Sequence, residues 1–136
     1  MKKRINDKID EIGNYLGELG AILPRDFKEY MNNFEKRAAC ERYFERIIEA
    51  VVDLAFLIIR LEGFEIPAED KEAFNILSRK KIISEKLAEK FKDAKGMRNL
   101  IAHEYGGVDD EIVFHSIAEE LEKDVNEFIS TIKKLE

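Results

Sequence analysis

Tryptophan is absent from the 136 residues, cysteine occurs once and proline twice, and each scarcity removes a class of protein. A lone cysteine, Cys40, can form neither an internal disulfide nor a thiolate metal site, so a cytosolic location is the default expectation. Two prolines and seven glycines are too few for a loop-rich β fold or a disordered linker. Long apolar runs are missing too. The most apolar stretch, Ile47 to Ile59, is too short to span a bilayer and carries Glu49 and Asp53. The opening MKKRINDKIDEI is basic but has no apolar core, so no signal peptide and no membrane association are expected. The two histidines, His103 and His115, have no cysteine or carboxylate cluster at ligand spacing, so no metal and no cofactor are expected. A net charge of −6 argues against general coating of nucleic acid.

What is present is a soluble balance of 45% hydrophobic and 38% charged residues, in a length that suits one domain over residues 1–136. Helical periodicity runs nearly throughout. Ile5, Ile9, Ile12, Leu16 and Leu19 mark an amphipathic first helix, which Gly20 and Pro24 should break. Asp26 can cap a second helix with Phe27, Tyr30, Met31 and Phe34 as its buried stripe. A long third helix is expected over about Lys36 to Leu61, ended by Gly63 and Pro67. It is apolar on more than one face, so it is either central to a bundle or shared with a second chain. Tyr43 and Phe44 read as core rather than as a platform for nucleic-acid bases.

A short helix lies within Glu65 to Leu77. Ser84 caps the next helix, which points Leu87, Ala88 and Phe91 inward and should kink or break at Gly96. The last helix starts near Asp109, with Phe114, Ala118, Leu121, Val125, Phe128, Ile132 and Leu135 at heptad-like spacing. With no alternating strand pattern, the predicted fold is all-α: an antiparallel up-down bundle of four main helices plus a short one.

Charge is unevenly spread. Residues Arg79 to Arg98 hold eight cations against three carboxylates, a local +5, while Asp109 to Glu136 holds nine carboxylates against three lysines. The basic stretch leads into the octet Arg98 to Tyr105, RNLIAHEY, and makes Lys92 and Lys95 candidates for an RNA approach. Wound as a helix, the octet puts Met97, Leu100 and Ile101 on a core arc, with Glu104 at its edge. Arg98, Asn99, His103 and Tyr105 fall on the opposite, polar arc.

That set suits phosphate-ester chemistry without a metal. Histidine changes charge near neutral pH, and arginine is the preferred fork-shaped donor to phosphate oxygens. His103 can act as general base or acid on a ribose hydroxyl. Arg98 can hold the phosphate, and Asn99 can orient the imidazole. One histidine per chain does not readily perform both proton transfers, which points to a two-fold dimer with two such faces in one cleft. His115 reads as a surface or structural residue. Two other readings stay open: a non-enzymatic nucleotide- or protein-binding module, and a structural bundle in which Arg98 pairs with a nearby carboxylate.

Arg98-Asn99-x-x-x-His103-x-Tyr105, preceded by Gly96-Met97 and followed by Val108-Asp109-Asp110, resembles the signature of HepT-type HEPN-domain proteins. The helical pattern agrees over nearly the whole chain. The resemblance implies a helical toxin ribonuclease, usually a homodimer with both motifs in a shared cleft, paired with a minimal nucleotidyltransferase antitoxin. It implies that Arg98 and His103 carry RNA cleavage with Asn99 in support. Tyr105 would be the residue to which the antitoxin adds AMP.

Overall fold

The computed structural model describes residues 2–103 and 107–135, so Glu104 and Tyr105 lie outside the described residues. Every regular element among them is helical. α1 spans Lys2–Ile22, α2 Phe27–Asn32, α3 Phe34–Glu62, α4 Asp70–Arg79 and α5 Glu85–His103. The last helix comes in three parts: α6 Asp110–His115, a π-helical turn Ser116–Glu120, and α7 Leu121–Lys133. The all-α bundle expected from periodicity is the fold found, with two short helices, α2 and α4, beside four long ones.

Local chemistry sets the helix boundaries. Asp26 Oδ1 accepts from the Glu29 amide at 2.8 Å and Asn33 Oδ1 from the Lys36 amide at 3.0 Å, capping α2 and α3. Gly63 ends α3 in the left-handed region at φ 71°, which glycine enters without a Cβ penalty. Ser84 Oγ accepts from the Leu87 amide, and Asp109 Oδ1 accepts from the Glu111 and Ile112 amides.

α3 is the central post. Its Phe44, Ile47, Ile48, Val51, Leu54 and Ile58 are all buried within the chain. The wide apolar surface that left two readings open is therefore consumed by α1, α4 and α5. It supplies no argument for a second copy. Tyr15 meets Tyr43 edge to face and Lys8 reaches Asp53, so α1 runs antiparallel to α3. Asp70 pairs with Lys95 and Asn75 bonds Lys92, so α4 runs antiparallel to α5. Phe91 joins three helices, with its ring 5.3 Å from Phe74 and 5.4 Å from Phe128.

Four expectations need correction. α1 runs through Gly20 and stops only at Ile22, two residues before Pro24, because its packing on α3 outweighs one weak helix former. Met31 and Phe34 do not belong to a buried stripe, and Phe34 is 70% exposed. Asn33 starts a new helix between them, so the periodicity linking Tyr30 to Phe34 spans two axes. α5 continues unbroken through Gly96 to His103, held between α3 and α4. The last helix is not a regular heptad run: the Leu121 amide bonds the Ser116 carbonyl across a π turn, which inserts a residue and buries Ile117, with Ala118 only partly buried against the core.

Tyr30 is fully buried and its hydroxyl has no partner among the described residues. Burial raises its pKa above the ordinary tyrosine value. An unmade buried hydrogen bond costs about 1–3 kcal/mol. Tyr30→Phe is therefore expected to raise the thermal midpoint, since the aromatic contacts with Phe27 and Phe114 remain. A lower midpoint in calorimetry would show that the hydroxyl is satisfied after all. Cys40 is buried as well, and desolvation pushes its thiol up to about 11, so it stays protonated and unreactive at neutral pH.

Candidate functional site

Residues 98–103 of the octet form the C-terminal end of α5, and they divide differently from a simple two-arc wheel. Asn99 and His103 are exposed, one turn apart on the same face. Among the described residues neither side chain has a hydrogen-bond or ion-pair partner. Arg98 is not solvent-facing. Its side chain is only 18% exposed, lies back along α3 and donates from Nη2 to Glu49 Oε2 at 3.2 Å. Its Nε is buried with no acceptor among the described residues.

The apolar arc is also uneven. Met97 and Ile101 pack partly buried against the core, but Leu100 is 43% exposed. The expectations for Glu104 and Tyr105, including the reachable tyrosine hydroxyl, fall outside the described residues.

The basic approach is largely neutralised. Lys95 Nζ pairs with Asp70 at 3.0 Å, and Lys92 Nζ lies 2.7 Å from Glu89 and donates to Asn75 Oδ1 at 2.9 Å. Arg79 pairs with Glu72, and Lys90 pairs with Asp124 and Glu120. Lys80 lies 5.2 Å over the Phe64 ring. A charge run in sequence is thus not a charged surface in space, because α3, α4 and the last helix bring carboxylates to it. His115 sits on α6, exposed, with Nε2 2.8 Å from Glu119 Oε2.

Among the described residues, no three His, Cys, Asp or Glu side chains gather as metal ligands, and no helix is long and apolar enough to cross a membrane. The residue that sequence reasoning missed is Glu49. It stands 49 positions from Arg98 on a different helix and registered only as a charge within an apolar run. No local spacing could link the two.

A bundle of this order, with an arginine and a histidine five residues apart at one helix end, can be compared with known proteins. The family model described as "Ribonuclease HepT-like" matches residues 8–132. The chain belongs to the HepT-like ribonuclease family. It is similar to the mRNA nuclease HepT of Shewanella oneidensis, 29% identical over 108 residues that make up 79% of this chain and 80% of that protein. It is also similar to the tRNA nuclease HepT of Aphanizomenon flos-aquae, 26% identical over 136 residues, 96% of this chain and 92% of that one. In three dimensions it matches the tri-AMPylated Shewanella oneidensis HEPN toxin solved in complex with MNT antitoxin. The TM-score is 0.90 at 27% identity, covering 98% of this chain and 99% of that chain. The HepT-like relatives thus carry both the nuclease name and the toxin–antitoxin setting over nearly the full length of this bundle.

Proposed function

We propose that the protein is a metal-independent endoribonuclease toxin of the cytoplasm, active as a homodimer and neutralised by a nucleotidyltransferase antitoxin. The observation that carries the reading is the motif at the end of α5, where Asn99 and His103 face solvent beside Arg98 in a chain of the HepT-like family. His103 takes the proton of a ribose 2′-hydroxyl, whose oxygen then bonds to the neighbouring phosphorus. Arg98 stabilises the negative charge that develops on the phosphorus oxygens, and Asn99 supports the imidazole or the substrate. The phosphorus–O5′ bond breaks, and the leaving oxygen takes a proton from His103 of a second copy. Lys92 and Lys95, once released from Glu89 and Asp70, line the approach of the RNA.

Tyr105 is the site of AMP addition in this proposal. Its hydroxyl attacks the α-phosphorus of ATP, pyrophosphate leaves, and the bulky, negatively charged adduct beside His103 repels an RNA backbone. The related Shewanella oneidensis toxin, tri-AMPylated and in complex with MNT antitoxin, supports this chemistry.

Purified protein is expected to cleave tRNA or mRNA in EDTA, and prior treatment with ATP and the cognate nucleotidyltransferase is expected to suppress cleavage. Tyr105→Phe should take up no label from α-labelled ATP and should stay active after the treatment. Equal labelling of wild type and Tyr105→Phe would move the modification elsewhere.

One observation favours a second reading, a non-catalytic module that binds a nucleotide or docks on a nucleotidyltransferase: the motif arginine and both approach lysines are already paired with carboxylates. Binding of ATP or RNA without any cleavage across varied RNAs would select it.

A further inference from the structure

Among the described residues, the Arg98–Glu49 contact is the one side-chain hydrogen bond between residues 98–103 and the rest of the bundle. The pair is lopsided. The arginine side is 18% exposed and the carboxylate side 58%, so water screens the pair and it contributes little to stability. Its consequence is orientation. A guanidinium is a rigid plane with five N–H donors, so anchoring one Nη sets where the others point. Nη2 is held by Glu49, Nε is buried, and no acceptor among the described residues takes Nη1. The Nη1 edge is the part left for a phosphate.

Glu49 borders a groove of about 730 Å³ among α1, α3, α4 and α5, lined by five carboxylates and four cations.

Resting on the ribonuclease reading above, we infer that Glu49 is a positioning residue for RNA cleavage: its carboxylate holds the Arg98 guanidinium by Nη2 so that the Nη1 edge is left for the scissile phosphate. The residue touches no substrate and acts through Arg98. Without it the long side chain is free to turn toward other carboxylates of α3 and the groove.

The test is steady-state cleavage of one RNA by wild type, Glu49→Ala and Glu49→Gln, alongside melting curves and the ¹⁵Nε–H signal of Arg98. A misaimed transition-state group can lower the rate by about 10²-fold. Glu49→Ala is therefore expected to lose on the order of that factor in kcat, with KM little changed and the melting curve unmoved. Glu49→Gln keeps an oxygen that accepts from Nη2 and should recover most of the loss. The Arg98 signal should shift in the alanine variant and return toward its wild-type position in the glutamine one. Wild-type kcat and KM in Glu49→Ala, or a loss that follows lowered stability and is not rescued by glutamine, would overturn the inference and leave the ribonuclease reading intact. A wild-type protein that cleaves no RNA overturns both.

Discussion

His103→Ala is expected to lower RNA cleavage by about 10²–10⁴-fold, the range in which a general acid or base contributes. The substitution should leave folding alone. His103 is exposed at the end of α5 and has no polar partner among the described residues, and such surface changes usually move stability by no more than about 0.5 kcal/mol. Loss of activity with an unchanged melting curve therefore isolates chemistry from structure.

The proposed homodimer makes the result sharper. One histidine per motif leaves two proton transfers to two copies, so a wild-type subunit assembled with a His103→Ala subunit should be nearly inactive rather than half active. Cleavage of tRNA and mRNA in EDTA by the two homodimers and by the mixed assembly measures this. If the alanine variant cleaves as fast as wild type, the motif histidine has no part in the reaction.

Phe91→Ala should produce the largest loss of stability, about 3–5 kcal/mol, as expected for emptying a buried aromatic site. Phe91 is 2% exposed and is the ring that α4, α5 and α7 share, between Phe74 and Phe128. Its ring neighbours, Phe74 and Phe128, are fixed on two other helices, so they cannot close the void by small shifts. Against a total stability of about 5–15 kcal/mol, such a loss leaves the domain marginal. Denaturant unfolding followed by helical circular dichroism gives the value. A loss under about 1.5 kcal/mol would mean that the bundle repacks around the gap and that the three-helix junction is not where its stability is concentrated.

The parts of the fold legible in sequence were those governed by interactions within about one helical turn. Asp26, Ser84 and Asp109 cap helices where a short polar side chain precedes an apolar period. Gly63 ends α3 because the left-handed turn there favours glycine. Leu87, Ala88 and Phe91 face inward as their spacing requires. The same local rule failed where a neighbouring helix decided the outcome. Gly96 does not interrupt α5, because α3 and α4 hold the helix on both sides. Phe34 lies outside because a capped helix start intervenes. The π turn at Ser116–Glu120 leaves no mark in a heptad count, since a single inserted residue preserves an approximate apolar period.

The site shows the same division. The four side chains of the motif and the exposure of Asn99 and His103 followed from sequence, because spacing along one helix is a local property. So did the family signature, which needs only the order of residues. The direction of Arg98 and the charge around it did not. Its carboxylate partner lies on α3, and the partners of Lys92 and Lys95 include side chains from α4. Electrostatic interactions depend on distance in space, and a +5 segment in sequence loses much of its field once carboxylates from other helices stand within 4 Å. Sequence alone determined which groups are available for chemistry. Tertiary packing decided which of them are free and which are already held.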